Sequence, residues 1–189
     1  MNEILILDIE TTGFQKQGGS IVEIGIVSLN LDTGEVKEIF DSLLREKVLT
    51  GRHRKDPMGW IFNNSDLTVE AVRSAPKAEE VLPKVQEILD SYPMGCTAYN
   101  NKFDFGFLRD MGIKINSLPC PMLLSTDICQ IPGRFGNYKW PSVEEAFAFF
   151  FPDNDYTEKH RGLDDAKHEA MIVYKLYQDG VFEVKSYEN

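Results

Sequence analysis

Residues 4–14 read Ile-Leu-Ile-Leu-Asp-Ile-Glu-Thr-Thr-Gly-Phe, an apolar run of four that stops at two acids one residue apart. Residues 4–7 lack the alternation of a half-exposed strand and are too few for an ordinary helix, so they predict a strand buried on both faces inside a sheet. Side chains alternate along a strand, which points Asp8 and Glu10 to the same face. Thr11, Thr12 and Gly13 then turn the chain away. Both carboxylates therefore fall at the C-terminal end of a central strand, where open α/β sheets bind their ligands. Two carboxylates aimed at one spot repel by roughly 4 kcal/mol at a 4 Å spacing and an effective dielectric near 20. Such a pair wants a cation, and an all-oxygen donor set suits Mg2+ or Mn2+ better than zinc.

At 189 residues with 42% hydrophobic content the chain can bury one substantial core, and no repeat, low-complexity tract or linker divides it. Cys96, Cys120 and Cys129 are odd in number and form no C-x-x-C pair, which argues against a disulfide framework and a structural zinc site. They read as reduced thiols of a cytoplasmic protein. No basic leader precedes an apolar segment and no apolar run approaches a membrane span, so neither export nor membrane insertion is expected. A net charge of −10 argues against a broad duplex footprint, and less against a compact site where metal ions neutralise phosphate. One local exception is basic: Arg45, Lys47, Arg52, Arg54 and Lys55, interrupted by Glu46. It reads as a solvated loop or as a patch that touches a nucleic-acid backbone.

Residues 21–27 and 36–44 predict two further strands, joined by the Asp32-Thr33-Gly34 turn into an antiparallel meander. Residues 45–64 look irregular, and Ser65 or Asp66 can cap a short helix through about Arg73. A stronger helix spans 77–91, with Val81, Val85, Ile88 and Leu89 on one face and Pro83 acceptable only near its start. Residues 96–99 form a short apolar strand that stops at Asn100-Asn101. Phe103, Phe107, Leu108 and Met111 then recur at helical spacing, which sets Asp104 in a first turn capped by Asn100 or Asn101. Pro141 opens a helix through about Phe150. The last helix, 163–177, carries Leu163, Ala166, Ala170, Val173 and Tyr177 along one stripe and ends at Gly180.

Three stretches thus set acids where apolar elements end: Asp8-x-Glu10, Asn100-x-x-Phe103-Asp104, and His160 shortly before Asp164-Asp165. Each alone is weak. In this order they resemble the DEDDh (DnaQ-like) 3′-to-5′ exonucleases, whose motifs read D-x-E, N-x-x-F-D and H-x-x-x-x-D, with residues 160–166 the most specific match. The resemblance implies a ribonuclease H-like α/β fold, a mixed β-sheet flanked by helices, as a single exonuclease domain over 1–180 with a short tail at 181–189. It makes Asp8, Glu10, Asp104 and Asp165 ligands for two divalent cations, and His160 the general base. An imidazole with an unperturbed pKa near 6.5 can take a proton from water at neutral pH.

By the same resemblance Thr11 and Thr12 meet the sugar of the terminal nucleotide, Phe14 packs on a base and Asn100 joins the substrate contacts. Phe103 reads as core, Asp164 as pointing elsewhere, and His168 as solvent-facing. The histidine base, lying before the last helix, is expected on a segment that can move. Tyr99 departs from the family's frequent histidine before the asparagine, a position that is not a ligand. The implied substrate is the 3′ end of single-stranded DNA or RNA, cut to nucleoside 5′-monophosphates. No membrane and no stable polymerase partner are expected of a chain with so short a tail, which is read as a stand-alone monomer or homodimer. Asp8-x-Glu10-Thr11 also echoes the D-x-D-x-T of haloacid-dehalogenase-like phosphatases, a reading that leaves Asn100, Asp104 and His160 without a task.

Overall fold

The computed structural model describes residues 2–45 and 59–184. Strands β1 (Glu3–Thr11), β2 (Ile21–Asn30) and β3 (Val36–Leu43) run antiparallel. A two-residue strand, β4 (Cys96–Thr97), lies parallel to β1, so the order across the sheet is β3-β2-β1-β4. The described helices are α1 (Trp60–Asn64), α2 (Val69–Ser74), α3 (Ala78–Ser91), α4 (Asn101–Asp110), α5 (Pro121–Cys129), α6 (Val143–Phe150) and α7 (Gly162–Gln178). None is long and apolar enough to cross a membrane.

The opening apolar run is central, and both its faces are covered. Ile4 and Ile6 pack with Val27, Leu29 and the Ala166, Ala170 and Val173 stripe of α7. Leu5, Leu7 and Ile9 pack against Val81 and Val85 of α3 and Phe105 and Leu108 of α4. Strand alternation therefore continues Ile4 and Ile6 into Asp8 and Glu10, which puts both acids on the α7 side. A smaller cluster seats Ile61 of α1 with Val69 and Val72 of α2 against Val22 of β2.

Four local readings change. A short helix, α1, forms in the stretch expected to be irregular, because Ile61 is buried against β2. The cap of α2 is Thr68, whose hydroxyl accepts from Ala71 N at 3.1 Å, while Asp66 is drawn instead to Arg161. Pro83 lies in the second turn of α3, one backbone bond being given up where Val81, Val85 and Leu89 bury the face. Past α7 the chain stays packed through Phe182, 1% exposed, whose N–H and that of Val181 both donate to Leu176 O. Residues 46–58, which hold most of the basic run and His53, and residues 185–189 lie outside the described residues. Arg45 is described, with Nε donating to Ala75 O at 2.9 Å.

Candidate active site

The first two acids come from β1. Asp8 pairs with Gly25 and Glu10 with Glu23 across the β1–β2 ladder, whose register slips between Glu10 and Thr11. The turn beyond is closed by its own threonines: Thr11 Oγ1 donates to Gly13 O at 3.1 Å, and Thr12 Oγ1 accepts from Ser20 N at 3.0 Å. Thr12 is 1% exposed, and its side chain holds the turn. Phe14 stands 63% exposed at the rim.

The third acid comes from α4. Asn101 braces the β4–α4 turn, accepting from Ala98 N at 2.8 Å and donating to Leu118 O at 2.8 Å. Asn100 takes the N-cap position with no side-chain capping bond, which leaves its amide for the cavity it lines. Asp104, one turn later, is buried, with the backbone N–H groups of Ile9 and of Asp104 itself favouring its charged form.

The fourth acid and the histidine come from the start of α7, which is braced on both sides. His160 has φ +53°, a left-handed conformation that costs a non-glycine residue energy unless its neighbours hold it. Next to it Arg161 forks onto buried Glu23, with Nε at 3.1 Å and Nη2 at 2.7 Å, and reaches Asp66 with Nη1 at 2.7 Å. Gly162 N also donates to Glu23, at 3.1 Å. A Cβ on Gly25 would sit 2.1 Å from Gly162 C, so the helix start presses directly on the β2 backbone. The expected movable segment is thus clamped by a buried acid that the sequence reading had not paired. Asp165 accepts from Tyr156 Oη at 2.9 Å, Arg161 N at 2.8 Å and Lys159 N at 3.3 Å.

Together these elements enclose a cavity of about 470 Å3 lined by Asp8, Glu10, Thr11, Phe14, Asn100, Asp104 and His160. Asp165 is not in its wall, yet ligand atoms of Glu10, His160 and Asp165 lie within 4.8 Å of one another. Burial pushes the Glu10 carboxyl up to about 9, with Asp165 and Glu23 adding repulsion. Desolvation likewise carries Asp104 to about 7, against the pull of its two amides. Asp8 is raised well above the usual range by desolvation and then by Glu169, and Asp165 is raised by desolvation despite its hydrogen bonds. Acids this crowded, with Arg161 already spent on Glu23 and Asp66, form an oxygen-rich donor set short of positive charge among the described residues. That is what a divalent cation site requires.

Four contributors went unread in the sequence. Glu169, 3% exposed, lines the cavity and accepts from Tyr99 N at 3.2 Å. Its spacing of one helical turn after Asp165 was the available signal. Glu158 also lines the cavity, 3.7 Å from His160 Nδ1, its carboxyl pushed by burial to about 7. Glu23, a lone acid inside an apolar strand, advertised a buried partner. Trp60, edge-on to His160 with ring centroids 4.6 Å apart, arrives on the unpredicted α1 and left no trace in local pattern. His168 proves half-buried, its ring stacked at 4.0 Å on Tyr156 and its Nδ1 2.8 Å from Asp164 O. Asp164 pairs with Lys159 at 3.0 Å.

Comparison with known proteins gives a consistent picture. The RNase_T family, described as Exonuclease, matches residues 5–173. The chain is 28% identical over 179 residues to a DNA polymerase III PolC-type from Clostridium perfringens, covering 91% of this chain and 11% of that protein. It is 26% identical over 190 residues to 3′-5′ exoribonuclease 1 of Mus musculus, covering 94% of this chain and 53% of that one. It thus spans a small part of the polymerases and about half of the exoribonuclease. Among solved structures, the nuclease domain of 3′hExo, a DEDDh family member bound to rAMP, superposes with a TM-score of 0.72 at 19% identity over 98% of this chain and 96% of that one. E. coli Exonuclease I in complex with a dA16 oligonucleotide gives 0.67 at 11% identity, over 96% and 42%.

Proposed function

This chain belongs to the RNase_T exonuclease family, and from that premise we propose that its single domain, which the packing of Phe182 carries past residue 180, is a metal-dependent 3′-to-5′ exonuclease. It removes nucleoside 5′-monophosphates from single-stranded DNA or RNA. The observation that carries this reading is the cavity at the end of β1, where acids from β1, α4 and α7 converge beside His160 without a matching set of cations among the described residues.

Asp8, Glu10, Asp104 and Asp165 would hold two divalent ions, Mg2+ or Mn2+, which when bound would neutralise the phosphate and acidify a water. His160 accepts the proton from that water. Its Nδ1 faces Glu158 at 3.7 Å, so the imidazolium formed meets a carboxylate, and Trp60 packed edge-on sets the plane of the ring. Asn100 and Thr11 face the terminal sugar, and exposed Phe14 offers a surface to a base whatever its identity. Thr12 serves by holding the turn that carries Thr11 and Phe14. Arg161 and Glu23 hold the backbone on which His160 and Asp165 stand.

The test is direct. Incubated with Mg2+, matched 5′-labelled DNA and RNA single strands should shorten to ladders, EDTA should stop the reaction, and a 3′-phosphate should slow it strongly. Cleavage of a circular single strand would overturn the exonuclease assignment. Release of phosphate from p-nitrophenyl phosphate without any nucleotide product would indicate a phosphomonoesterase.

A further inference from the structure

Beside the acid-lined cavity lies a second one, of about 810 Å3, and Phe14, Gln17, Asn100 and Phe103 form a wall common to both. This groove is bounded by the 3-10 turn Gln15–Gln17, by α4 and by the beginning of α5. Its electrostatics are the reverse of its neighbour's. Among the described residues Lys16, Lys102 and Arg109 line it and no Asp or Glu does, in a chain with 30 acids to 20 Lys and Arg.

Two of the three cations are available. Among the described residues no carboxylate pairs with Lys16 or Lys102, and both are exposed. Arg109 is held in place, with Nη2 donating to Ser117 Oγ and the guanidinium 5.6 Å above the Phe105 ring. Trp140, 61% exposed, and Leu123, 51% exposed, add apolar surface to the same lining. Unpaired cations interleaved with an exposed aromatic ring are the chemistry of a sequence-tolerant single-strand platform, in which lysines meet phosphates and rings stack on bases. Paired bases of a duplex offer no face to such a ring.

We propose that this groove binds the nucleotides immediately upstream of the scissile bond in a single strand, with Lys16 and Lys102 on phosphates and Trp140 on a base. The proposal rests on the exonuclease reading, because it takes the terminal nucleotide to occupy the adjoining acidic cavity. It assigns a task to a basic surface that the net charge of the chain conceals. It also makes affinity a function of strand length: a dinucleotide sets one nucleotide beyond the shared wall, and a longer strand sets several.

The experiment pairs binding with turnover. Anisotropy of a labelled single strand of about eight nucleotides, within the span such a groove covers, is measured with Mg2+ in an Asp8→Asn background. The same background then carries Lys16→Glu/Lys102→Glu, or Trp140→Ala. The lysine pair should weaken binding at least tenfold and flatten the log–log salt dependence by about 1.4, at roughly 0.7 per phosphate lost. Trp140→Ala should weaken it about tenfold, the loss of one stacked base. On the catalytic side, the ratio of kcat/KM for the longer strand to that for a dinucleotide should exceed ten with the unaltered residues and fall toward one in both variants. Binding and length preference that are indifferent to both variants would overturn the groove. Groove-dependent binding by a chain that cleaves neither substrate would sustain the groove and overturn the exonuclease reading instead.

Discussion

Replacing Asp104 with asparagine should make the metal-free protein more stable at alkaline pH while removing its response to metal. Asp104 is 4% exposed, and its carboxyl is carried from an ordinary 3.8 to about 7 because lost hydration outweighs its two backbone amides. Between those two values the folded protein keeps the proton that the unfolded chain has released. The associated stability is therefore complete below pH about 4 and disappears as pH rises through about 7. At 1.36 kcal/mol per pH unit the interval amounts to roughly 4 kcal/mol. Asparagine is spared that cost but gives up the attraction between a carboxylate and the nearby backbone N–H groups, which returns about 1–3 kcal/mol. The net gain at pH 8 in EDTA is then about 1–3 kcal/mol. For a chain of this size that is roughly 2–12 °C in Tm. Thermal melts of both proteins in EDTA from pH 4 to 8 test this: Asp104→Asn should start as the less stable at the acidic end and overtake as pH rises. Saturating Mg2+ should reverse the order, since only the wild type gains strongly from the ion, by about 4.1 kcal/mol at a thousandfold excess over Kd. A difference between the two that does not change with pH would refute the argument.

His160→Ala should lower kcat by roughly 10²–10⁴ while leaving metal-dependent thermal stabilisation near wild type; a loss of metal affinity as large as that of Asp165→Asn would make the histidine a ligand, as its position within 4.8 Å of Glu10 and Asp165 also permits. Arg161→Met leaves the Glu23 carboxylate, its side chain 1% exposed, buried without a counter-charge, and should cost about 3–5 kcal/mol by denaturant titration. Adding Glu23→Leu should recover most of that stability but not the activity, and a double variant no more stable than Arg161→Met would refute the account of the clamp. Gly25→Ala places a Cβ 2.1 Å from the Gly162 backbone, so α7 must move: stability should fall by about 1–3 kcal/mol and kcat by about 10²-fold. Near-wild-type turnover in Gly25→Ala would show that the contact does not position His160 and Asp165.

What the sequence determined by itself was the part of the site that follows from short-range periodicity. The buried run at 4–7 and the alternation of a strand placed Asp8 and Glu10 together at a strand end. The helical recurrence after Asn100 set Asp104 in a first turn, and these placements needed only the two repeat lengths of regular structure. The choice of Asp165 over Asp164 came instead from the resemblance of residues 160–165 to the H-x-x-x-x-D motif. What tertiary structure alone decided was everything that depends on one segment pressing on another. Glu23 and Arg161 lie far apart in the chain, and nothing local says that one is buried beneath the other. Trp60 reaches His160 only because α1 forms, and α1 forms because Ile61 finds Val22. Thr12 looked like its neighbour Thr11 until the fold turned its hydroxyl to Ser20. Helical stripes of apolar residues are selected by burial, but a buried acid such as Glu169 reads as a surface residue until the packing of α7 against β1 and the amide of Tyr99 supply its partner. Local pattern reports which face turns inward, and only the assembled fold reports what that face meets.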